Sequence, residues 1–242
     1  PSHPLSEGTV HDYLLKNGVP GISGIDTRAI TRKLRSAGVM MGIITPNADI
    51  EAALVTLAKA PRYGEFDVVG DVSTDDIYAW NGDAGEESRA FFDLRGRARQ
   101  GGMGINVERG IGQRYLGDNY MKVVVNDYGV KLNILRSLRA RGCEVIVVPD
   151  NASADDILGH NPDGVMLSPG PGDPELLDRS VATAKGLAGK VPMMGICLGH
   201  QVIARAFGAS TFKLHFGHRG GNQPVKDLDS GRVYVTAQNH GY

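Results

Sequence analysis

Gly195-Ile196-Cys197-Leu198-Gly199-His200-Gln201 is the stretch from which the rest of the chain is read. The apolar residues 191–196 before it are short enough for a buried strand. Residues 201–207 after it carry a helical pattern closed by Gly208. A cysteine between two glycines at a strand-to-helix junction has the layout of a nucleophile elbow, in which the side chain stands clear of the sheet. The positive end of the following helix favours a thiolate there. A buried structural cysteine is the commoner fate of an isolated Cys. Flanking glycines and the polar Gln201 are hard to explain as packing, so Cys197 is read as the nucleophile.

Upstream, the chain alternates strand and helix. Residues 122–127 form a β-branched run, 130–141 a helix stopped by Gly142, and 143–148 a second strand. Ser153 and Asp156 make a capping-box start to a short helix. Residues 163–168 form a third strand, 174–189 a helix, and 191–196 a fourth strand. Apolar strands alternating with amphipathic helices predict an α/β fold, a mostly parallel sheet covered on both faces. Such sheets place their sites at the carboxyl ends of the strands. Ser168-Pro169-Gly170-Pro171-Gly172-Asp173-Pro174 lies there. Its glycines and prolines fix an unusual backbone with unhindered N–H groups, suited to an oxyanion hole beside Cys197. Cys143, at a strand start with no adjacent glycine or base, is read as core.

Beyond the elbow, residues 211–216 and 232–237 are strand-like. The glycine-rich polar stretches 217–222 and 238–242 read as loops apt for binding an amide or a zwitterion. Before the sheet, Ser6 is read as the cap of a helix reaching Asn17, with Gly18 as its stop. Asp26 caps a basic helix ending at Gly38, residues 39–45 read as a strand, and residues 49–60 as an amphipathic helix. Residues 81–120 have the glycine and charge content of a linker. The predicted organisation is therefore 1–80, a linker 81–120, and a second domain 121–242.

Composition excludes several classes. The 242 residues hold 26 basic and 27 acidic side chains, a balance that gives no argument for nucleic acid or an anionic membrane. No apolar run approaches a membrane span, and no Cys, His and carboxylate cluster has metal-ligand spacing. Two cysteines make no disulfide framework, which points to a reducing, cytoplasmic setting. No phosphate-binding Gly-Lys-Ser/Thr loop is present.

The elbow, the Ser-Pro-Gly-Pro-Gly-Asp-Pro loop, Phe216-Gly-His-Arg-Gly-Gly-Asn222 and Gln238-Asn-His-Gly-Tyr242 together resemble the class I, triad-type glutamine amidotransferases. Their wording is closest to the carbamoyl-phosphate synthase small subunit, whose N-terminal domain is similar to residues 18–35. The resemblance implies a glutamine amidotransferase domain preceded by a smaller α/β domain. It also implies Cys197 as nucleophile and the N–H groups of Gly170 and Leu198 as the oxyanion hole. Gly170, Gly172, Leu198, Gln201, Asn239, Gly241 and Tyr242 would hold L-glutamine. It further implies a large synthetase subunit as partner, which would use ATP and Mg, with no cofactor or metal in this chain.

The family's base is a His with a Glu in a His-Pro-Glu motif downstream of Gln-Asn-His-Gly. No such motif occurs here, and neither His200 nor His240 is assigned in its place. The resemblance thus implies a chain shortened at both ends, with weak or no glutaminase activity by itself. Two other readings remain: an amidotransferase of another synthetase, and a glutamine-binding or gating subunit that hydrolyses nothing.

Overall fold

The computed structural model describes residues 6, 8–46, 48–62, 64–80 and 121–242. Three helices come first, α1 (Val10–Lys16), α2 (Thr27–Ala37) and α3 (Ile50–Lys59), and none buries a residue. Local chemistry explains each start. Asp26 accepts from Ala29 N–H at 2.9 Å and Asp49 from Ala52 N–H at 3.0 Å, satisfying first-turn donors that have no helical partner. The start of α1 falls later than expected. Thr9, not Ser6, is its cap, because Thr9 and Asp12 close a reciprocal capping box.

A five-stranded sheet follows, built from β1 (Tyr78–Ala79), β2 (Lys122–Asp127), β3 (Glu144–Pro149), β4 (Gly164–Leu167) and β5 (Met193–Gly195), in the order β1-β3-β2-β4-β5. Pairs β2–β3, β2–β4 and β4–β5 are parallel, whereas β1 is an antiparallel edge on β3. Helix α4 (Leu132–Arg139) covers one face, with Leu135, Val125, Val147 and Met166 in that core. Helices α5 (Ala154–Gly159), α6 (Asp178–Leu187) and α7 (Leu198–Ala206) cover the other, around Val124, Ile157, Leu167, Leu187 and Val202. The expected α/β architecture is present, and Cys143 is in the core as read.

Five local expectations differ. Residues 39–45 form no strand: Val39 N–H reaches His215 O at 3.2 Å and no ladder follows. Residues 211–216 likewise form none. Leu214 N–H donates to Gly241 O at 2.8 Å and His215 O receives Val39, so the two bonds go to different segments. Among the described residues before residue 81, β1 is the strand, and it belongs to the main sheet; the linker expected over 81–120 lies outside the described residues. The helix expected over 174–189 opens as a 3-10 turn (Pro174–Leu176) before α6. The stretches 217–222 and 238–242, read as loops, lie mostly in β6 (His218–Lys226) and β7 (Val233–His240), which pair around a bulge between Gly220 and Gln223.

Candidate functional site

The site begins with backbone strain at Cys197. Its φ of 53° puts a non-glycine residue in the left-handed region, between β5 and the first turn of α7, and the side chain is exposed. Strand-to-helix reversal at that point requires close approach, and the glycines supply room rather than unusual torsion. A Cβ on Gly199 would lie 2.1 Å from Leu167 O, and one on Gly195 2.4 Å from His200 N. The turn is pinned on both sides. Ile196 N–H donates to Leu167 O at 3.1 Å, and Gly199 N–H to Ser168 O at 3.1 Å.

The loop after β4 faces this turn. Gly170 packs its α-carbon so closely on neighbouring backbone that a Cβ would sit 2.1 Å from Tyr128 O and 2.9 Å from Leu198 Cδ2. Gly172 has φ 90°, available to glycine at little cost. The third wall is the end of β7 and the residues after it. Asn239 O lies 3.9 Å from Cys197 Sγ. Gln201, one helical turn past the cysteine, donates from Nε2 to Tyr242 O at 2.8 Å.

These walls enclose a cavity of about 210 Å³. Every site residue expected from the sequence lines it: Cys197, Gly170, Leu198, Gly172, Gln201, Asn239, Gly241 and Tyr242. Arg219 and His240 line it as well. Arg219 lies inside a glycine-rich stretch with no local pattern that singles it out. Its guanidinium donates to Phe216 O and lies beside Gly241, so only the β6–β7 pairing brings it to the cavity. Lys213 extends its ammonium over the Tyr242 ring, 4.2 Å from the centroid. Desolvation first, then the Arg219 charge, holds its pKa below the ordinary lysine range, with Asp173 opposing.

Two histidines bear on a base for Cys197. His240 Nδ1 is 2.6 Å from Tyr242 O, while its Nε2 is 2.9 Å from Gln238 Oε1 and 3.1 Å from His218 Nδ1. His200 is exposed on α7. Among the described residues no hydrogen bond joins either ring to Cys197, and no group of three His, Cys, Asp or Glu side chains is placed to hold a metal. No helix among them is long and apolar enough to cross a membrane.

The chain is similar to known proteins along its whole length. The glutamine amidotransferase class-I family matches residues 123–242, and the carbamoyl-phosphate synthase small chain CPSase domain matches residues 1–44. Carbamoyl phosphate synthase small chains from Rhodopirellula baltica and Methanopyrus kandleri are 46% and 41% identical, each over 100% of this chain. That from Xanthomonas axonopodis pv. citri is 45% identical, again over 100%. The chain spans 59%, 58% and 61% of those three relatives respectively. With both parts matched in order, the chain belongs to the family of carbamoyl-phosphate synthase small chains, whose second domain is a class I glutamine amidotransferase.

Proposed function

We propose that this chain carries the glutamine site of an amidotransferase that supplies ammonia for carbamoyl phosphate formation. The observation that carries the reading is the strained, exposed Cys197, which shares one cavity with the Gly170 loop and the Asn239–Tyr242 segment. The Cys197 thiolate attacks the side-chain amide carbon of L-glutamine, and the carbonyl oxygen takes up negative charge in a tetrahedral intermediate. The N–H groups of Gly170 and Leu198 stabilise that oxygen. The C–N bond then breaks, ammonia leaves with a proton from the base, and water hydrolyses the glutamyl thioester to regenerate the thiol. Gly172, Gln201, Asn239, Gly241 and Tyr242 hold the substrate. The base is the family's His, oriented by its Glu.

The ammonia passes to a large synthetase subunit in a cytoplasmic heterodimer. That partner uses ATP and Mg, and its carbamoyl phosphate serves arginine and pyrimidine synthesis. Support comes from the family membership and from the small-chain names of the relatives. No cofactor or metal is required in this chain for the thiol chemistry.

The test uses the full-length protein with its partner, comparing Cys197→Ser with wild type. Glutamine-dependent synthesis should be abolished, while synthesis driven by added ammonia persists. Glutamine-dependent ammonia release by the serine variant at the wild-type rate would remove Cys197 from the mechanism. Loss of both activities would implicate it in assembly instead.

A further inference from the structure

The sharp approach of Gly170 to Tyr128 raises the question of what holds the supporting backbone in place. Behind Gly170 lies the turn after β2. Gly129, with φ 116°, is close enough that a Cβ on it would be 3.4 Å from Pro171 Cδ and 3.6 Å from Gly170 Cα. Asp127, only 5% exposed, holds this turn: Oδ1 accepts from Gly129 N–H at 2.9 Å and Val130 N–H at 2.7 Å. Its other oxygen accepts from Thr74 N–H at 3.0 Å, across 53 residues of sequence.

Thr74 belongs to a segment, residues 64–74, that runs along the cavity's outer wall. A Cβ on Gly64 would lie 2.8 Å from the Tyr242 hydroxyl, and one on Gly172 3.3 Å from Val68 Cγ2. Val69 is fully buried in the sheet's core, and Val72 packs beside Gly129. From the opposite side, Ser168 Oγ accepts from Tyr128 N–H at 2.8 Å and donates to Pro169 O at 2.9 Å. One carboxylate thus ties the N-terminal segment to the turn against which Gly170 rests.

We propose that Asp127 is a positioning residue for glutamine hydrolysis, locking residues 64–74 and the 128–130 turn into the support that fixes the Gly170 N–H. The proposal rests on the glutaminase reading above. Charge-assisted bonds to backbone donors are the stronger class, and a buried network is sensitive to losing one acceptor. Asp127→Asn keeps the shape but has one carbonyl oxygen for donors on two sides. Either Thr74 N–H or the Gly129 and Val130 pair then faces an NH₂ group.

In the full-length protein with its partner, kcat for glutamine hydrolysis should fall on the order of tenfold, part of the loss seen when an oxyanion donor is removed outright. KM for glutamine should stay within about twofold, and ammonia-driven synthesis should be unchanged, because the chemistry affected is oxyanion stabilisation. Rates are normalised to the fraction of Cys197 that alkylates, which removes any effect of misfolded protein. Ser168→Ala loosens the same turn from its other side and should move kcat in the same direction. Thr56→Ala removes an exposed bond within α3, from Thr56 Oγ1 to Ala52 O (2.9 Å), and should change neither constant.

Amide exchange gives a readout independent of activity: residues 169–172 should exchange faster in Asp127→Asn while β4 keeps its protection. Unchanged kcat and unchanged exchange in that variant would overturn the proposal. An inactive wild type, or an active Cys197→Ser, would instead overturn the glutaminase reading, and the exchange result would still decide whether Asp127 holds the loop.

Discussion

Replacing Gly199 with alanine separates two explanations of the elbow glycines. Gly199 is in the first turn of α7 and has no positive φ, so helix propensity alone favours alanine by about 1 kcal/mol. Space argues the other way. The added Cβ would meet Leu167 O at 2.1 Å, Leu167 C at 2.5 Å and Leu167 Cβ at 2.7 Å, against a carbon–carbon optimum of about 3.5–4.0 Å. These partners are largely backbone of β4, which cannot swing aside, so α7 and β4 must part. Overpacking of this kind costs about 1–3 kcal/mol, and the upper end applies here. Parting also stretches the Gly199–Ser168 and Ile196–Leu167 backbone bonds, each contributing about 1 kcal/mol. The steric side wins, leaving a net loss of about 4 kcal/mol. For a cooperative unit of about 150–250 residues that lowers Tm by roughly 8–16 °C, read by calorimetry as the transition of the unit that contains α7. Gly208→Ala is the control. Gly208 has φ 91° and no atom within 4 Å of the added Cβ, so only left-handed strain of about 1–2 kcal/mol applies. A Gly199→Ala protein that melts at or above Gly208→Ala would refute the argument from space.

Two further outcomes follow from the same geometry. Brief treatment with iodoacetamide at neutral pH should label the exposed Cys197 and spare Cys143, which is 9% exposed and whose thiol burial pushes above its ordinary pKa, opposed by Arg141 and Arg139. Peptide mapping checks this, and equal labelling of the two would count against the described core. Lys213 gives a pH signature. With a folded-state pKa below its ordinary 10.5, the folded chain binds fewer protons than the unfolded chain between those values. The cost of keeping this lysine charged is present below that window and disappears as pH rises through it, so wild-type stability gains on the alkaline side. Lys213→Met lacks that gain, and the Tm difference between the two proteins should move in favour of wild type as pH approaches 10.5. A pH-independent difference would contradict it.

What the sequence made legible was local or strongly patterned. Asp26 and Ser153 are readable as caps because a short polar side chain reaches a donor three residues on. Strands β2, β3 and β4 are readable because strands covered on both faces are apolar throughout. Pairing is a different matter. Residues 39–45 and 211–216 are apolar enough for strands, yet composition says nothing about a partner, and each segment found isolated bonds. Strand β6 has the opposite character: glycines, a proline and charges in a strand held by register with β7. For the site, the elbow and the loop at 168–174 carried their chemistry in consecutive residues and came together as expected. Arg219, Asp127 and the segment 64–74 did not, since their placement depends on contacts between distant parts of the chain.

The strain at Cys197 shows how the surrounding packing makes the site possible. A non-glycine residue held at φ 53° costs about 1–3 kcal/mol and persists only where neighbours over-determine it. Here the next residue, Leu198, is 2% exposed and Val202, one turn further, is fully buried in the core, so α7 cannot rotate to relax the turn. On the other side, Ile196 is bonded to the end of β4 through Leu167, and Gly195 packs with no room for a side chain. The strained residue therefore has few alternatives, and its sulfur is left exposed beside Asn239 and the Gly170 loop. Glycine at 197 would relax that torsion without disturbing the core, so stability alone gives no reason for a cysteine there. Its presence at the one torsionally unfavourable point of the elbow is what thiol chemistry explains and packing does not.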